Sequence, residues 1–264
     1  MIKTIESRSN EKIKSAQKLA ASSRFRNERR EFFLEGARLC FDAAASGITL
    51  KQVFFTESCA EKYPEKLERI ISSADEAYKI SRDVASKLAD TQSSQGVFAV
   101  CAMPQGDGAG IKKDGKYILL ENIQDPANLG AIARTAEALG IDGAVLCGCC
   151  DVYNPKAQRA AMGSLLRLPL IFCGDAADTL KRCVENGMLT LAATPDKNAE
   201  KITDISLSGG VIAVIGNEGN GVTEETMAVC RRVTIPMKGR AESLNASMAA
   251  ALVMWEMMRQ PENT

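Results

Sequence analysis

Five polar side chains are the candidates for chemistry in this sequence. They fall in three separate loops, and each loop follows a run of apolar residues. Together they offer amide, guanidinium, carboxylate and hydroxyl groups, which can grip a phosphate, hold a hydroxyl group or take part in proton transfer. The five candidates are Asn128, Arg134, Glu218, Ser243 and Asn245.

The second of these loops, residues 216–221, reads Gly-Asn-Glu-Gly-Asn-Gly. Its three glycines let the backbone bend and let a ligand approach closely. A phosphate-binding P-loop needs Lys and then Ser or Thr after its last glycine, whereas Val222-Thr223 follows here, and the Rossmann pattern is also absent. Glu218 would repel a phosphate but could bind a hydroxyl group or a cation. An ordinary polar turn is the alternative.

The other two loops are predicted to start helices. Asn128 is the predicted N-cap of a helix beginning at Leu129, and Arg134 then lies about one and a half turns into that helix. Ser243 is the predicted N-cap of a long C-terminal helix. The alternative is that Asn128 and Ser243 only cap helices and that Arg134 is an ordinary surface residue, so that none of the three takes part in chemistry.

The sequence contains no histidine, which excludes a Ser-His-Asp triad, a Cys-His dyad and a His-ligated metal. Nine cysteines are scattered along the chain. Cys147 and Cys150 form a C-x-x-C pattern, but no second pair completes a zinc site. We interpret them as small buried side chains after a strand, and we expect no metal.

The composition is typical of a soluble globular protein, with 45% hydrophobic and 25% charged residues among 264. Apolar runs of about 18 residues, the length that suggests a membrane span, are absent from the sequence. The first residues lack the apolar stretch of a signal peptide. We therefore expect a cytoplasmic protein with no membrane partner.

Positive charge is concentrated near the N-terminus. The formal net charge is zero, yet residues 1–30 hold nine Lys or Arg against three Glu, a local excess of six. A basic patch on a neutral protein suits a phosphate-bearing partner. A solvated helix face is the alternative.

The first part of the chain is predicted to be a small α/β module. Residues 10–46 are predicted to be helical, with a second helical stretch after Gly36, and short strands are predicted near 53–55, 77–80 and 97–100. This module ends near residue 103. The glycine-rich residues that follow, within 104–113, indicate a linker.

The second part, residues 114–264, is predicted to form a mostly parallel α/β sheet. Six apolar runs alternate with helical stretches of about ten residues, and this pattern is typical of a parallel sheet covered on both faces. Ligands of such sheets lie at the carboxyl ends of the strands, where the candidate loops are. The runs are 117–120, 144–146, 170–172, 189–192, 211–215 and 233–235.

The three loops resemble the three signature motifs of the SpoU–TrmH family of RNA ribose 2′-O-methyltransferases, in the SPOUT superfamily. The matching segments are Asn128-x-Gly130-x-x-x-Arg134, Gly216-Asn217-Glu218-Gly219-x-Gly221, and Ile235-Pro236-Met237 with Ser243-Leu244-Asn245-Ala246-Ser247. Residues 154–164 also resemble the family, with Ala161 where a serine is common. Residues 33–36 and 92–97 resemble its ribosomal-protein-like α/β substrate-binding domain.

The resemblance implies a fold, a cofactor and a set of partners. The fold is an α/β sheet with a C-terminal trefoil knot, preceded by an RNA-binding domain at 1–103. The chain is expected to form a homodimer in which the arginine of the first motif lies near the partner's cofactor pocket. The cofactor is S-adenosylmethionine, and the residues implied to bind it are Thr194, Gly216, Asn217, Ile235, Met237 and Leu244.

The implied reaction is methyl transfer to a ribose 2′-hydroxyl of RNA, with ribosomal RNA favoured as the substrate. The alternatives are a transfer-RNA ribose methyltransferase and a non-catalytic RNA-binding protein on the same fold. A third alternative, a nucleotide-dependent enzyme that uses the glycine loop, is disfavoured because the P-loop and Rossmann patterns are absent. The candidate RNA contacts are Arg24, Arg26, Arg29 and Arg30.

Family proposals assign activation of the 2′-hydroxyl to the residue that corresponds to Arg134. A guanidinium has a pKa above about 12 and is a poor base. We therefore expect Arg134 to grip the adjacent phosphate and steer the hydroxyl group. Asn128 and Glu218 would then hold the arginine or accept a hydrogen bond.

Overall fold

The computed structural model describes residues 2–91, 94–104 and 110–259. The chain divides into two compact units. The first comprises Met1–Gln105 with Tyr153–Leu166, and the second comprises Gly106–Val152 with Arg167–Thr264. The predicted domain limits at 103 and 114 stay a prediction. Residues 153–166, which were predicted to belong to the second domain, pack within the first unit. Gln92, Ser93 and residues 105–109, half of the predicted linker, lie outside the described residues.

The first unit is built on a five-stranded mixed sheet in the order β1-β4-β3-β5-β2. β5 runs antiparallel to β3 and β2, and the other neighbours are parallel. The strands are β1 Ile2–Ile5, β2 Glu31–Glu35, β3 Leu50–Phe55, β4 Ala74–Ile80 and β5 Val97–Ala102. The helices are α1 Glu11–Ala21, α2 Ser23–Arg29, α3 Ala37–Ala45, α4 Glu57–Lys62, α5 Pro64–Ser73 and α6 Arg82–Leu88.

The predicted helix over residues 10–46 is wrong in its middle, where β2 interrupts it. Arg30 ends α2 in the left-handed conformation, at φ 54°, and the chain then turns into the strand. Phe32 and Leu34 pack in the apolar cluster on one face of the sheet, and Phe33 packs in the cluster on the other. A strand alternates its side chains between two faces, so three successive buried apolar residues fill both cores.

The second unit contains a seven-stranded sheet in the order β10-β12-β9-β11-β6-β7-β8, with every neighbour parallel. All six predicted strands are present. The strands are β6 Lys116–Glu121, β7 Gly143–Cys147, β8 Leu170–Cys173, β9 Leu189–Ala193, β10 Glu200–Lys201, β11 Val211–Ile215 and β12 Arg231–Thr234. The helices after residue 110 are α7 Pro126–Leu139, α8 Pro155–Ala161, α9 Ala176–Glu185, α10 Glu224–Val229 and α11 Ala246–Arg259.

The central strands explain why the parallel sheet could be predicted. Every residue of β6, β7 and β11 is buried, as expected for strands covered on both faces. One prediction fails between β9 and β11, where β10 and a short 3₁₀ turn, Ile202–Asp204, replace the expected helix of about ten residues. The C-terminal knot stays a prediction.

The segment that contains α8 belongs to the first unit. The Tyr153 ring lies 4.6 Å from the Phe32 ring, measured between centroids, and Arg159 forms an ion pair with Asp90 at 2.8 Å. None of the helices in the described part of the chain is long and apolar enough to cross a membrane.

Candidate cofactor and catalytic site

Two of the three candidate loops line a cavity of about 450 Å³ in the second unit, and Asn128 of the remaining loop is hydrogen-bonded to the lining residue Glu218. The cavity lies where β9, β11 and β12 end, at the carboxyl edge of the parallel sheet, as such ligand sites usually do. Glu218 and Ser243 line it. So do all six residues that were predicted to bind a cofactor, namely Thr194, Gly216, Asn217, Ile235, Met237 and Leu244.

The glycine loop after β11 is a closed turn. The backbones of Asn217 and Gly221 exchange two hydrogen bonds, at 3.0 and 2.9 Å. A Cβ at Gly216 would overlap the backbone of Gly221, and Gly221 itself has a φ of +71°. The first and last glycines are therefore required by the turn itself, which any side chain at Gly216 would open.

Asn217 fastens this turn to the rest of the site. Its Oδ1 accepts hydrogen bonds from the backbone N–H of Gly219 and of Asn220, at 2.8 and 3.2 Å. Its Nδ2 donates to the carbonyl of Asn122, in the loop after β6, at 2.8 Å. The amide thus holds the loops after two neighbouring strands together.

Glu121 is a functional residue that the sequence analysis missed. This last residue of β6 is 4% exposed, yet its carboxylate is fully engaged. It accepts hydrogen bonds from the Thr223 N–H and hydroxyl, both at 2.9 Å, and from the Thr226 hydroxyl at 2.7 Å. Glu121 therefore anchors the segment that follows the glycine loop. Its signal in the sequence was an acid ending an otherwise apolar run.

Asn128 does not cap a helix, which corrects the prediction. α7 begins at Pro126, and Asp125 is its cap, accepting from the Ala127 N–H at 3.0 Å. Asn128 lies one turn further on and is 9% exposed. Its side chain is turned toward the glycine loop, where its Nδ2 donates to Glu218 Oε1 at 2.8 Å.

Asn245 completes this hydrogen-bonded row. Its Nδ2 donates to Asn128 Oδ1 at 3.1 Å, while its Oδ1 accepts from the Ser247 N–H at 2.9 Å. The cap of α11 is therefore Asn245, and the prediction that Ser243 caps this helix is wrong. The structure brings Asn128, Glu218 and Asn245 together from positions 90 and 117 residues apart.

Arg134 is separated from this row within the chain. It lies on α7 with its side chain exposed, six residues after the buried Asn128. Six residues advance a helix by about 600°, so the two side chains leave α7 on different faces. Among the described residues, Arg134 has no hydrogen-bond or ion-pair partner.

The four arginines predicted to contact RNA lie in the first unit, and one of them is not available. Arg26 is 2% exposed, and its guanidinium donates to the Leu19 and Ala20 carbonyls. Those carbonyls lie at the end of α1, so Arg26 links α1 to α2. The prediction that Arg26 contacts RNA is therefore wrong, and its role is structural. Arg24, Arg29 and Arg30 are exposed.

Burial disfavours the thiolate form of the cysteines at the end of β7 and in the loop after it. Burial raises the pKa of Cys149 and of Cys150 to about 11, and burial also raises the pKa of Cys147. A metal or redox site needs thiolates, which these surroundings disfavour. The described residues contain no cluster of His, Cys, Asp or Glu that could hold a metal ion.

The cavity suits a ligand that is part flat and apolar and part polar. Val222, Ile235 and Ala249 supply apolar wall, and Thr194, Glu218 and Ser243 supply hydroxyl and carboxylate groups. Adenine is flat with polar edges, the ribose carries hydroxyl groups and a sulfonium is a cation. The residues present therefore fit S-adenosylmethionine.

The family match, together with the parallel sheet and the cavity at its carboxyl edge, places the second unit among the methyltransferases of the SPOUT class. Residues 115–255 match the family described as the SpoU rRNA Methylase family, and the chain belongs to this family. Residues 10–99 match a domain described as the MRM3-like substrate binding domain.

Named relatives match along almost the whole chain. A 23S rRNA (guanosine(2553)-2′-O)-methyltransferase, RlmP, from Bacillus subtilis is 32% identical over 97% of this chain and 99% of its own length. A 23S rRNA (uridine(2479)-2′-O)-methyltransferase from Streptomyces viridochromogenes is 28% identical over 95% of this chain and 90% of its own.

Solved structures agree in fold. A structure described as an RNA 2′-O ribose methyltransferase is 27% identical, covers 97% of this chain and 98% of its own, and has a TM-score of 0.82. An AdoMet-bound rRNA methyltransferase from Sinorhizobium meliloti, 24% identical over 98% of both chains with a TM-score of 0.87, supports the fold alone.

Proposed function

We propose that this protein transfers a methyl group from S-adenosylmethionine to a ribose 2′-hydroxyl of ribosomal RNA. One observation carries the proposal. The hydrogen-bonded row of Asn128, Glu218 and Asn245 stands at a cavity that all six candidate cofactor residues line. Membership of a family of RNA methylases supports the same reaction.

The residues around the cavity have separate tasks in this proposal. Backbone groups at Gly216, Ile235 and Leu244 hold the adenine, and Thr194, Asn217 and Met237 complete its surroundings. When bound, the cofactor supplies an electrophilic methyl group on a sulfonium. Glu218 and Ser243 offer a carboxylate and a hydroxyl near the charged and ribose parts of that ligand. Holding both reactants in place contributes up to about 7–11 kcal/mol to catalysis.

Asn128 and Asn245 keep the Glu218 carboxylate in position. Both Asn128 amide atoms are used, one toward Glu218 and the other toward Asn245. The orientation of Glu218 therefore depends on segments that follow three different strands, β6, β11 and β12. A carboxylate held in this way can accept a hydrogen bond from the substrate hydroxyl or from an arginine without reorganising.

Arg134 acts, in this proposal, at the cofactor cavity of a second copy of the chain. Its exposed position away from the row agrees with that arrangement. It binds the phosphate next to the target ribose with two parallel hydrogen bonds and so steers the 2′-hydroxyl. Its high pKa makes it a poor proton acceptor.

The homodimer has a candidate surface on α11. Met248, Leu252 and Trp255 are 59%, 43% and 55% exposed, and their spacing places them on one face of the helix. Large apolar side chains grouped on a surface mark an interaction site. We propose that this face meets its copy in the dimer, and that the C-terminal segment forms the family's knot.

The first unit is proposed to hold the RNA. Its match to a substrate-binding domain and the exposed Arg24, Arg29 and Arg30 support this role. Ribosomal RNA is proposed over transfer RNA because two relatives that match over nearly the whole chain are named as 23S rRNA methyltransferases. The protein would then work in the cytoplasm on nascent or assembling ribosomes.

The proposal is tested by supplying the purified protein with S-adenosylmethionine labelled in the methyl group. The substrates are ribosomal RNA and transfer RNA from a strain that lacks the gene. We expect label in ribosomal RNA, at a single 2′-O-methylated nucleotide that resists alkaline cleavage. Label in transfer RNA alone would change the substrate. Cofactor binding without any transfer to either RNA would favour a non-catalytic binding protein.

A further inference from the structure

A second cavity, of about 320 Å³, lies in the first compact unit. Side chains from α1, the end of β2, the C-terminal end of α6 and the start of α8 line it. Its volume is at the lower end of the range of about 300–1,000 Å³ that small-molecule pockets occupy. None of the residues assigned above to the cofactor, to catalysis or to RNA binding lies in it.

The floor of this cavity is apolar and fixed. Phe33 and Leu88 are 2% and 4% exposed and belong to the apolar core of the unit, and Ala20 packs against the same core. Ala21 and Pro155 add small or flat apolar surface. A rigid apolar floor can support one face of a planar ring, as protein surfaces do for unstacked bases.

Two amide side chains stand in the walls. Gln17 Nε2 donates to the Lys87 carbonyl at 2.7 Å, and Asn154 Oδ1 accepts from the Lys156 N–H at 2.8 Å. These bonds orient each amide, and within the described residues neither Gln17 Oε1 nor Asn154 Nδ2 has another hydrogen-bond partner, so both are available to a ligand. An acceptor and a donor at the edge of a planar ring suit the polar edge of a nucleobase.

The charges of the lining favour an anionic group beside that ring. Lys87, Lys156 and Arg159 face two carboxylates, Glu35 and Asp90. Both carboxylates are occupied, because Asp90 pairs with Arg159 at 2.8 Å and Glu35 accepts from the Asp90 N–H at 2.9 Å. Lys87 has no ion pair within the described ranges, so a positive charge is left for a phosphate.

We propose that this cavity binds one unpaired nucleotide of the RNA substrate, with the base on the Phe33 and Leu88 floor and the phosphate at Lys87. The cavity is thus a recognition subsite, separate from the place where the methyl group is transferred. That the nucleotide belongs to RNA rests on the proposed function, while the binding of a nucleotide rests on the cavity alone.

The test is a fluorescence anisotropy titration of the full-length protein with a mixed-sequence single-stranded RNA of about 12 nucleotides. Ala21→Leu fills the cavity and Lys87→Ala removes its unpaired cation. We expect each to weaken binding by about tenfold or more, as the loss of one stacked base or of one hydrogen bond to a charged group does. Ala45→Leu, at the end of α3, and Lys62→Ala, at the end of α4, are matched controls that should bind like the parent.

Two further measurements decide what is recognised. In saturation-transfer NMR, the base protons of at least one of AMP, CMP, GMP and UMP should receive saturation from the parent protein and lose it in Ala21→Leu. Unchanged RNA binding in both cavity variants would overturn the proposal. So would inorganic phosphate that displaces the RNA as well as a nucleotide does, because the base would then contribute nothing. The proposal would also fail if the variants lost as much affinity for an RNA duplex as for the single strand.

The cofactor is measured separately in the same variants. S-adenosylmethionine should bind the cavity variants and the parent with the same Kd by calorimetry. If the parent binds no cofactor, the proposed function fails, yet the NMR titration still tests the nucleotide site. If the cofactor binds and the nucleotides do not, only the present inference is rejected.

Discussion

Asn128 Nδ2 donates a hydrogen bond to Glu218 Oε1 at 2.8 Å, although the two residues are 90 positions apart. The same asparagine accepts from Asn245 through its other amide atom. An uncharged amide is the group that this place needs, because it can donate to a carboxylate and accept from a second amide at once.

Exchange of that amide for a carboxylate should disable the site. Asn128→Asp removes the donor and places two carboxylates in contact, so we expect methyl transfer to fall by at least about tenfold at pH 7, which corresponds to 1.4 kcal/mol or more. The rate is measured with labelled cofactor at saturation. Asn128→Asp should also weaken cofactor binding, and the double variant with Glu218→Gln, which restores an amide–carboxylate pair, should recover that affinity. No recovery would argue against the pair as the reason for the loss.

Glu121→Ala should loosen the glycine loop. It removes the acceptor of three donors, namely the N–H and hydroxyl of the exposed Thr223 and the hydroxyl of the buried Thr226. A buried donor without its acceptor costs about 1–3 kcal/mol, whereas water can replace the acceptor at an exposed residue. We expect a loss of about 1–3 kcal/mol in the free energy of unfolding in urea, together with weaker cofactor binding. Glu185→Ala, at the exposed end of α9, is the control for loss of a carboxylate. A variant as stable as that control would show that Glu121 anchors nothing.

Arg134→Lys separates the two roles discussed for the arginine. If two parallel hydrogen bonds to phosphate matter, lysine loses most of the activity, about tenfold or more, while the Kd for S-adenosylmethionine stays unchanged. If a group that can lose its proton is required, lysine retains substantial activity and shows a rate that rises with pH. Single-turnover rates across pH 6 to about 10 distinguish the two outcomes.

Trp255→Glu should convert the proposed dimer into monomers. The substitution places a charge in the exposed apolar face of α11, where association would have to bury it without a partner. Sedimentation velocity measures the change in mass, and Val184→Glu, on the exposed face of α9, is a matched control. If Arg134 serves the partner's site, the Trp255→Glu monomer also loses methyl transfer. A parent protein that is already monomeric would refute this assembly.

The first unit should lose stability in acid through Glu76. Its hydrogen bond from Lys12, together with contacts to Tyr78 and Gln52, lowers the pKa of this carboxyl from 4.5 to about 2. The folded state therefore favours the ionised form. The resulting stabilisation is complete above pH 4.5 and is lost as the pH falls from there to about 2.

The effect is small, since the Glu76 side chain is 33% exposed and solvent screens the pair. We expect Glu76→Gln to cost at most about 1 kcal/mol at pH 7 and nearly nothing at pH 2. Urea unfolding at the two pH values measures the difference. An equal cost at both would show that the loss is not electrostatic.

The sequence by itself determined the parallel sheet and the segments that form the site. Continuous apolar runs predicted every strand from β6 to β9, β11 and β12. For β6, β7 and β11 the reason is that strands buried on both faces carry mostly apolar residues. The glycines of 216–221 identified a turn that other residues cannot make. The three motifs indicated the family and six residues that line one cavity.

Local patterns were insufficient where partners come from elsewhere in the chain. β2 follows a helical segment. Its residues form a strand because they pair with β5 and pack their apolar side chains on both faces of the sheet. Asn128 and Ser243 both have cap residue types, but only their surroundings decide whether a side chain caps a helix or bonds across loops. The burial of Arg26 is likewise a tertiary effect, because the α1 carbonyls that bind its guanidinium come within reach only when α1 and α2 pack together.

The anchoring role of Glu121 and the row from Glu218 to Asn245 were decided by the fold alone. Glu121 and Thr226 are 105 positions apart along the chain, and Asn128 and Asn245 are 117 positions apart, yet each pair lies within hydrogen-bond distance in space. Apolar periodicity reports which face of an element is buried, whereas it carries no information about which buried polar groups meet. That pairing is set by the order of the strands, because strand order determines which loops are neighbours at the carboxyl edge of the sheet.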